Sequence, residues 1–202
     1  MSKISYYSLT EKKPEKYISY LEKLSTKEWS EKRDSIIKRD KFTCNTCKLT
    51  ATIFEKDFMY RKKTEEETQE YKKDIANSFY NAILPEFKSQ YDKNTLPQFL
   101  TFQKNLIIKP EQIILQVHHK YYILNNLPWN YLDDSLITLC DKCHQKIHNV
   151  SDIPIYSDNS MEVKLDYTKC GTCNGSGYIP EYHYYMNGIC FDCSGNKYIE
   201  LK

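Results

Sequence analysis

Eight cysteines fall into four C-x-x-C pairs with none left over, at 44/47, 140/143, 170/173 and 190/193. Any fold the chain adopts must bring these pairs together two by two. In a small secreted chain they would suggest disulfides. Here the N-terminal MSKISYYSLTEKK has no apolar core of signal-peptide type, so knuckles of this spacing read as two zinc sites of four cysteines each. Sixteen residues separate Cys173 from Cys190, within the spacing of a zinc ribbon. Cys44 and Cys47 need two more thiolates for tetrahedral closure, and Cys140 and Cys143 are the best supply. That pairing clamps residue 47 to residue 140 across a 92-residue interval. In so polar a chain the clamp should be structural.

Of the 202 residues, 28% are charged and the apolar runs are only a few residues long, so no transmembrane helix is expected. A soluble, cytoplasmic protein of one good-sized domain or two small ones follows as the expectation. The net charge of +2 conceals an uneven distribution: residues 1–63 carry 16 Lys and Arg against 9 Asp and Glu, and residues 64–202 carry 13 against 18. If the partner is nucleic acid, phosphate contacts should concentrate in the N-terminal part, with Arg33 and Arg39 as candidates. The competing reading is a solvated helix face.

Residues 1–13 read as a flexible start. Pro14 can open a helix whose stripe is Tyr17, Tyr20, Leu21 and Leu24. Ser25 with Glu28 has the pattern of a capping box for a second helix, with Trp29, Ile36 and Ile37 on its apolar side. Thr64 with Glu67 starts another, from about 64 to 84, on the repeat Tyr71, Ile75, Phe79, Ile83, and Pro85 ends or kinks it. A further helical or mixed piece spans 86–109. Its aromatics suit packing against the rest of the chain, with target recognition or dimerisation as alternatives. Residues 111–119 (EQIILQVHH) read as a buried strand. A loop follows, in which Lys120 and Trp129 could meet a sugar-phosphate backbone, or Trp129 could be a structural plug.

Four of the five histidines lie between Gln116 and Asn149. His118 and His119 end the strand; His144 and His148, four apart in C-x-x-C-H-x-x-x-H, lie on one face of a helix. Two imidazoles from a strand and two from a helix could place a divalent ion beside a general base. A third zinc site or satisfied core histidines are the bland alternatives. Adjacent strand residues point to opposite sides, so a purely structural site would not readily use both His118 and His119.

The segments VHH (117–119), SLITLC (135–140) and DKCHQKIH (141–148), with CNTC (44–47) upstream, resemble the HNH, or ββα-metal, nucleases. The resemblance covers residues 26–48 and 113–149 and implies an α+β fold. In it, residues 1–149 form an HNH domain with a helical N-terminal part and a mainly helical insertion at about 50–110. It further implies that Cys44, Cys47, Cys140 and Cys143 share one zinc, that His119 is the general base, and that His118, His144 and His148 hold one catalytic divalent ion. Mg²⁺ is expected there, with Mn²⁺ or Ni²⁺ also acceptable. Nine residues before His144 the family has an orienting Asn; this chain has Ser135. The implied activity is hydrolysis of DNA phosphodiester bonds, double-stranded DNA preferred. A homodimer would suit a double-strand break and a monomer a nick.

Residues 150–168 read as a linker with one strand. All five glycines come after it, marking a module at 169–202 that should hold the second zinc on Cys170, Cys173, Cys190 and Cys193. CGTCNGSG (170–177) and CFDCSGNK (190–197) are near repeats, with Lys197 at the last glycine position. They resemble half of the cysteine-rich region of J-domain co-chaperones. Tyr178, Tyr182, Tyr184, Tyr185 and Phe191 could give the module a stacking surface, and His183 is expected at its surface. Two further readings compete with the nuclease: a nonenzymatic zinc-containing nucleic-acid-binding protein, and a zinc-scaffolded interaction protein without salt-dependent DNA affinity.

Overall fold

The computed structural model describes residues 3–56, 58–82, 108–182, 184–185 and 188–201. All but residues 108 and 109 of the piece expected at 86–109, together with Pro85 and His183, lies outside them. The described residues form a mixed α and β structure of short helices and three small sheets. They divide into two units, residues 1–50 with 114–202 and residues 51–113.

The N-terminal part differs from the expected flexible start and single helix. Helix α1 (Tyr6–Thr10) forms because the Ser5 side chain caps it, and both Glu28 carboxylate oxygens accept from the Tyr6 backbone N–H. A 3-10 turn (Glu15–Tyr17) and helix α2 (Tyr20–Lys23) follow. The break falls at Ser19, which closes a capping box with Glu22 and so starts a new helix. With Glu28 committed to Tyr6, the buried Thr26 rather than Ser25 caps α3 (Lys27–Arg39). Helix α3 buries Trp29, Ile36 and Ile37.

In residues 51–113, strands β1 (Ile53–Glu55), β2 (Phe58–Arg61) and β3 (Glu111–Ile113) form an antiparallel sheet, and helix α4 spans Glu65–Ala82. Thr64 and Glu67 exchange both bonds of a capping box at the start of α4. Arg61 ties helix to sheet, donating to Glu67 and to Glu111.

In the other unit, β4 (Leu115–His119) and β6 (Leu136–Cys140) pair antiparallel, with His118 opposite Ile137 and His119 opposite Leu136. Helix α5 (Asp141–Val150) follows β6 directly. The run expected as one strand is thus divided at the exposed Ile114, β3 belonging to one unit and β4 to the other. Strand alternation sends Leu115, Val117 and His119 to one face of the β4–β6 ribbon and Gln116 and His118 to the other. Trp29 of α3 stacks on His119, and His144 and His148 of α5 meet His118. Two helices therefore sandwich the ribbon.

Strand β5 (Tyr122–Ile123) pairs parallel with β7 (Ile155–Tyr156), which pairs antiparallel with β8 (Lys164–Leu165). The stretch expected as a linker thus supplies two strands. Its Ile153 and Ile155 pack with Tyr122 and Tyr198 in one apolar cluster.

The two cysteine repeats follow one course. Cys170 N–H donates to the Lys197 carbonyl and Cys190 N–H to the Gly177 carbonyl; Gly175 N–H returns to Cys170 and Gly195 N–H to Cys190. A Cβ at Gly177, where φ is +75°, would stand 2.6 Å from the Gly195 carbonyl oxygen, so close approach of the repeats requires glycine there. Among the described residues no helix is long and apolar enough to cross a membrane.

Candidate metal centres and the histidine cleft

Cys44, Cys47, Cys140 and Cys143 bring their sulfurs within 4.8 Å of one another, and Cys170, Cys173, Cys190 and Cys193 do the same. The Cys47–Cys140 sulfurs are 3.7 Å apart, Cys170–Cys190 3.8 Å and Cys173–Cys193 3.7 Å. A tetrahedral zinc with bonds of about 2.3 Å sets its sulfurs about 3.8 Å apart, so both clusters could hold structural zinc. Each is supported from outside its thiols. Asp40, at the end of α3, accepts from the Thr138 backbone N–H and from Asn45, while Asn45 N–H donates to the Thr138 carbonyl. In the second cluster Gly177 N–H donates to the Cys173 sulfur at 3.2 Å.

A third cluster consists of His118, His144 and His148, each offering a ring nitrogen within the same 4.8 Å limit. Helical spacing puts His144 and His148 ring centres 4.7 Å apart, and His118 reaches them at 5.3 and 5.1 Å. The buried Nδ1 of His118 has no hydrogen-bond partner among the described residues. An orphaned nitrogen on a buried ring packed against two other imidazoles suits a metal, because its lone pair otherwise goes unused. Burial, with smaller contributions from neighbouring positive charge, lowers the pKa of His118 to about 2, of His144 to about 4 and of His148 to about 3. All three are therefore neutral at pH 7, the form that binds metal.

His119 has a different environment. Its Nε2 lies 2.9 Å from the Pro128 carbonyl oxygen. A carbonyl only accepts, so Nε2 carries the proton and Nδ1 holds the lone pair. That nitrogen faces the Tyr20 hydroxyl at 3.4 Å. Trp29 stacks on the ring at 5.0 Å and Tyr131 meets it edge-on at 4.6 Å. Burial lowers its pKa to about 3 despite the Pro128 bond, which works the other way. His118, His119, His144 and His148 nonetheless line one cavity of about 820 Å³, whose other walls include Trp29, Arg33 and the Thr172–Asn174 turn of the C-terminal repeats.

The remaining sequence candidates are placed as follows. Ser135 is buried, but its hydroxyl donates to the Leu132 carbonyl at 2.6 Å, and the contact on His119 comes from Pro128 instead. Arg39 pairs with Asp40 and also donates to the carbonyls of Asp133 and Leu136, locking the loop before β6. Arg33 lines the cavity and pairs with Asp34. Lys120 donates to the Asp134 carbonyl, and Trp129 packs edge-on against Tyr6.

Sequence reasoning missed Tyr20, Tyr122, Pro128 and Tyr131 around His119, and assigned nothing to Lys197. The signal for Lys197 was there, a lysine where the first repeat has Gly177. It is buried at φ +74°, donates to the Tyr122 hydroxyl, and lies over the Tyr20 and Tyr122 rings at 4.5 and 4.4 Å. Compared with known proteins, the chain matches no family model, no curated sequence and no solved structure.

Proposed function

We propose that this protein is a metal-dependent endonuclease of the HNH, ββα-metal kind, hydrolysing phosphodiester bonds in DNA, double-stranded DNA preferred. One observation carries the reading. Three neutral imidazoles converge on one point, and a fourth, fixed with its Nδ1 lone pair unprotonated, opens on the same cavity.

In this reading His118, His144 and His148 hold a divalent ion. When bound, the ion supplies positive charge beside the scissile phosphate and the departing 3′ oxygen. His119 takes the proton of the attacking water on Nδ1 while the Pro128 carbonyl keeps Nε2–H in place. Trp29 and Tyr131 hold the ring in its plane. Ser135 keeps the loop that carries Pro128 in register, through Leu132, in place of the family's asparagine. Arg33 stands at the rim as a phosphate contact. The two cysteine clusters hold zinc; the first sets the relative placement of the first knuckle, β6 and α5, and the second that of the two C-terminal repeats.

The test is cleavage of supercoiled plasmid with Mg²⁺, Mn²⁺ or Ni²⁺, wild type beside His119→Ala and His118→Ala. The expected result is relaxed or linear DNA from wild type and a loss of about 10²–10⁴-fold in His119→Ala, with zinc content unchanged. Wild-type protein that carries its zinc, binds DNA with a salt-dependent affinity and cuts nothing would instead establish a nonenzymatic DNA-binding protein.

A further inference from the structure

Two cavities meet at a partition made by Tyr20, Tyr122 and Lys197. One is the histidine cleft; the other, of about 700 Å³, lies towards Asn125, Tyr131 and Asn196. The partition is chemically unusual. Lys197 and Tyr122 are each 8% exposed, and among the described residues no carboxylate lies within ion-pair distance of the Lys197 ammonium. The hydrogen bond of that ammonium goes to the Tyr122 hydroxyl oxygen, which must accept it. The tyrosine proton therefore points elsewhere, with no acceptor among the described residues.

Burial lowers the pKa of Lys197 to about 7, and with one hydrogen bond made its remaining buried donors are costly unless an acceptor, best an anion, joins them. The Cys173 and Cys193 thiolates of the second cluster favour the charged lysine, but among the described residues its side-chain hydrogen bond goes to Tyr122 and none goes to a sulfur. Nearby backbone N–H groups serve the cluster's sulfurs, and the lysine side chain turns from the cluster to strand β5. Its backbone also occupies a left-handed conformation that the first repeat leaves to glycine, so a lysine side chain here is held against backbone strain. Lys197 lines the same cavity as all four histidines.

We infer that Lys197, carried into the cleft by the C-terminal cysteine module, forms with Tyr122 an anion-binding pair that takes a backbone phosphate of the polynucleotide strand lying at the histidines. The inference rests on reading the cleft as a polynucleotide site, but not on that site cutting. Lys197 supplies the charge and the freed Tyr122 O–H a second donor. The module is then part of the substrate site rather than an appendage to it.

The test is binding of a fluorescein-labelled 12-base-pair DNA duplex by anisotropy across a salt series, with no Mg²⁺, Mn²⁺ or Ni²⁺ added. It compares wild type with Lys197→Gly, Lys197→Met, Lys197→Arg and Tyr122→Phe, with zinc content measured for each. Lys197→Gly relieves the left-handed strain and reproduces the first repeat, so it keeps the knuckle. Expected are about 10-fold weaker binding in the Gly and Met variants, and a slope of log affinity against log salt shallower by about 0.9. The Arg variant should stay near wild type, and Tyr122→Phe should bind more weakly with an unchanged slope. Unchanged affinity and slope in zinc-loaded Lys197→Gly overturns the inference, as does failure of wild type to bind. Loss of zinc from all three lysine variants also overturns it, since the lysine would then serve the cluster. Lys197-dependent binding without cleavage in any divalent ion leaves the inference standing and removes the nuclease; cleavage indifferent to Lys197 does the reverse.

Discussion

Four imidazoles held neutral in the fold make this protein acid-sensitive in a defined direction. In the unfolded chain each takes a proton near pH 6.5, whereas in the fold His144 does so only near 4, His119 and His148 near 3 and His118 near 2. The unfolded state therefore binds more protons below pH 6.5, and stability falls as pH drops from there towards 4 and beyond. The urea midpoint should be lower at pH 5 than at pH 7.5, and that difference should shrink in His118→Gln, which deletes one of the equilibria. An identical difference in the variant would contradict the assignment. Gly177 is the second sensitive point. Gly177→Ala forces a Cβ against the Gly195 carbonyl at 2.6 Å, so the variant should bind one zinc per chain where wild type binds two, by metal analysis.

At the scale of elements, the junction that matters is the end of α3 against β6. Asp40 gathers Arg39, the Asn45 amide and the Thr138 N–H, joining a helix terminus, a cysteine knuckle and the strand that leads into α5. Asp40→Ala should lose about 2–4 kcal/mol in chemical denaturation, with faster amide exchange at Thr138. A change below about 0.5 kcal/mol would show the junction to be incidental. Elements with local signatures were legible beforehand: α4 from its Thr64/Glu67 box and four-residue repeat, α3 from Trp29, Ile36 and Ile37, and α5 from the histidine spacing. The strands β1, β2 and β5 were not, and of β7 and β8 only one strand was expected, because two to four residues are too few to show a period. The break at Ser19 was missed because Glu22 closes a box there that the longer apolar stripe overrode.

Over the whole molecule, the first cysteine cluster closes the interval from Cys47 to Cys140. Closing a loop of that length restricts the unfolded chain by about 4–5 kcal/mol on the chain-entropy account. Four-thiolate zinc sites bind with apparent free energies of about 10–16 kcal/mol, so metal binding outweighs the closure it imposes. Stripping zinc with a strong chelator should release two ions per chain, abolish the cooperative thermal transition of the unit that carries both clusters, and leave a signal that zinc addition restores. A transition unchanged by chelation would rule out zinc as the organiser of this fold. What the sequence determined by itself were the features carried by short-range spacing: four C-x-x-C knuckles, the histidines four apart on a helix, and an adjacent His-His pair that strand alternation must divide. Only the tertiary structure decided that Pro128 fixes the proton on His119, that Ser135 bonds to Leu132, and that Tyr20, Tyr122 and Lys197 meet beside the histidines. Those partners lie far apart along the chain, and no period or spacing encodes a contact formed when separate elements pack together.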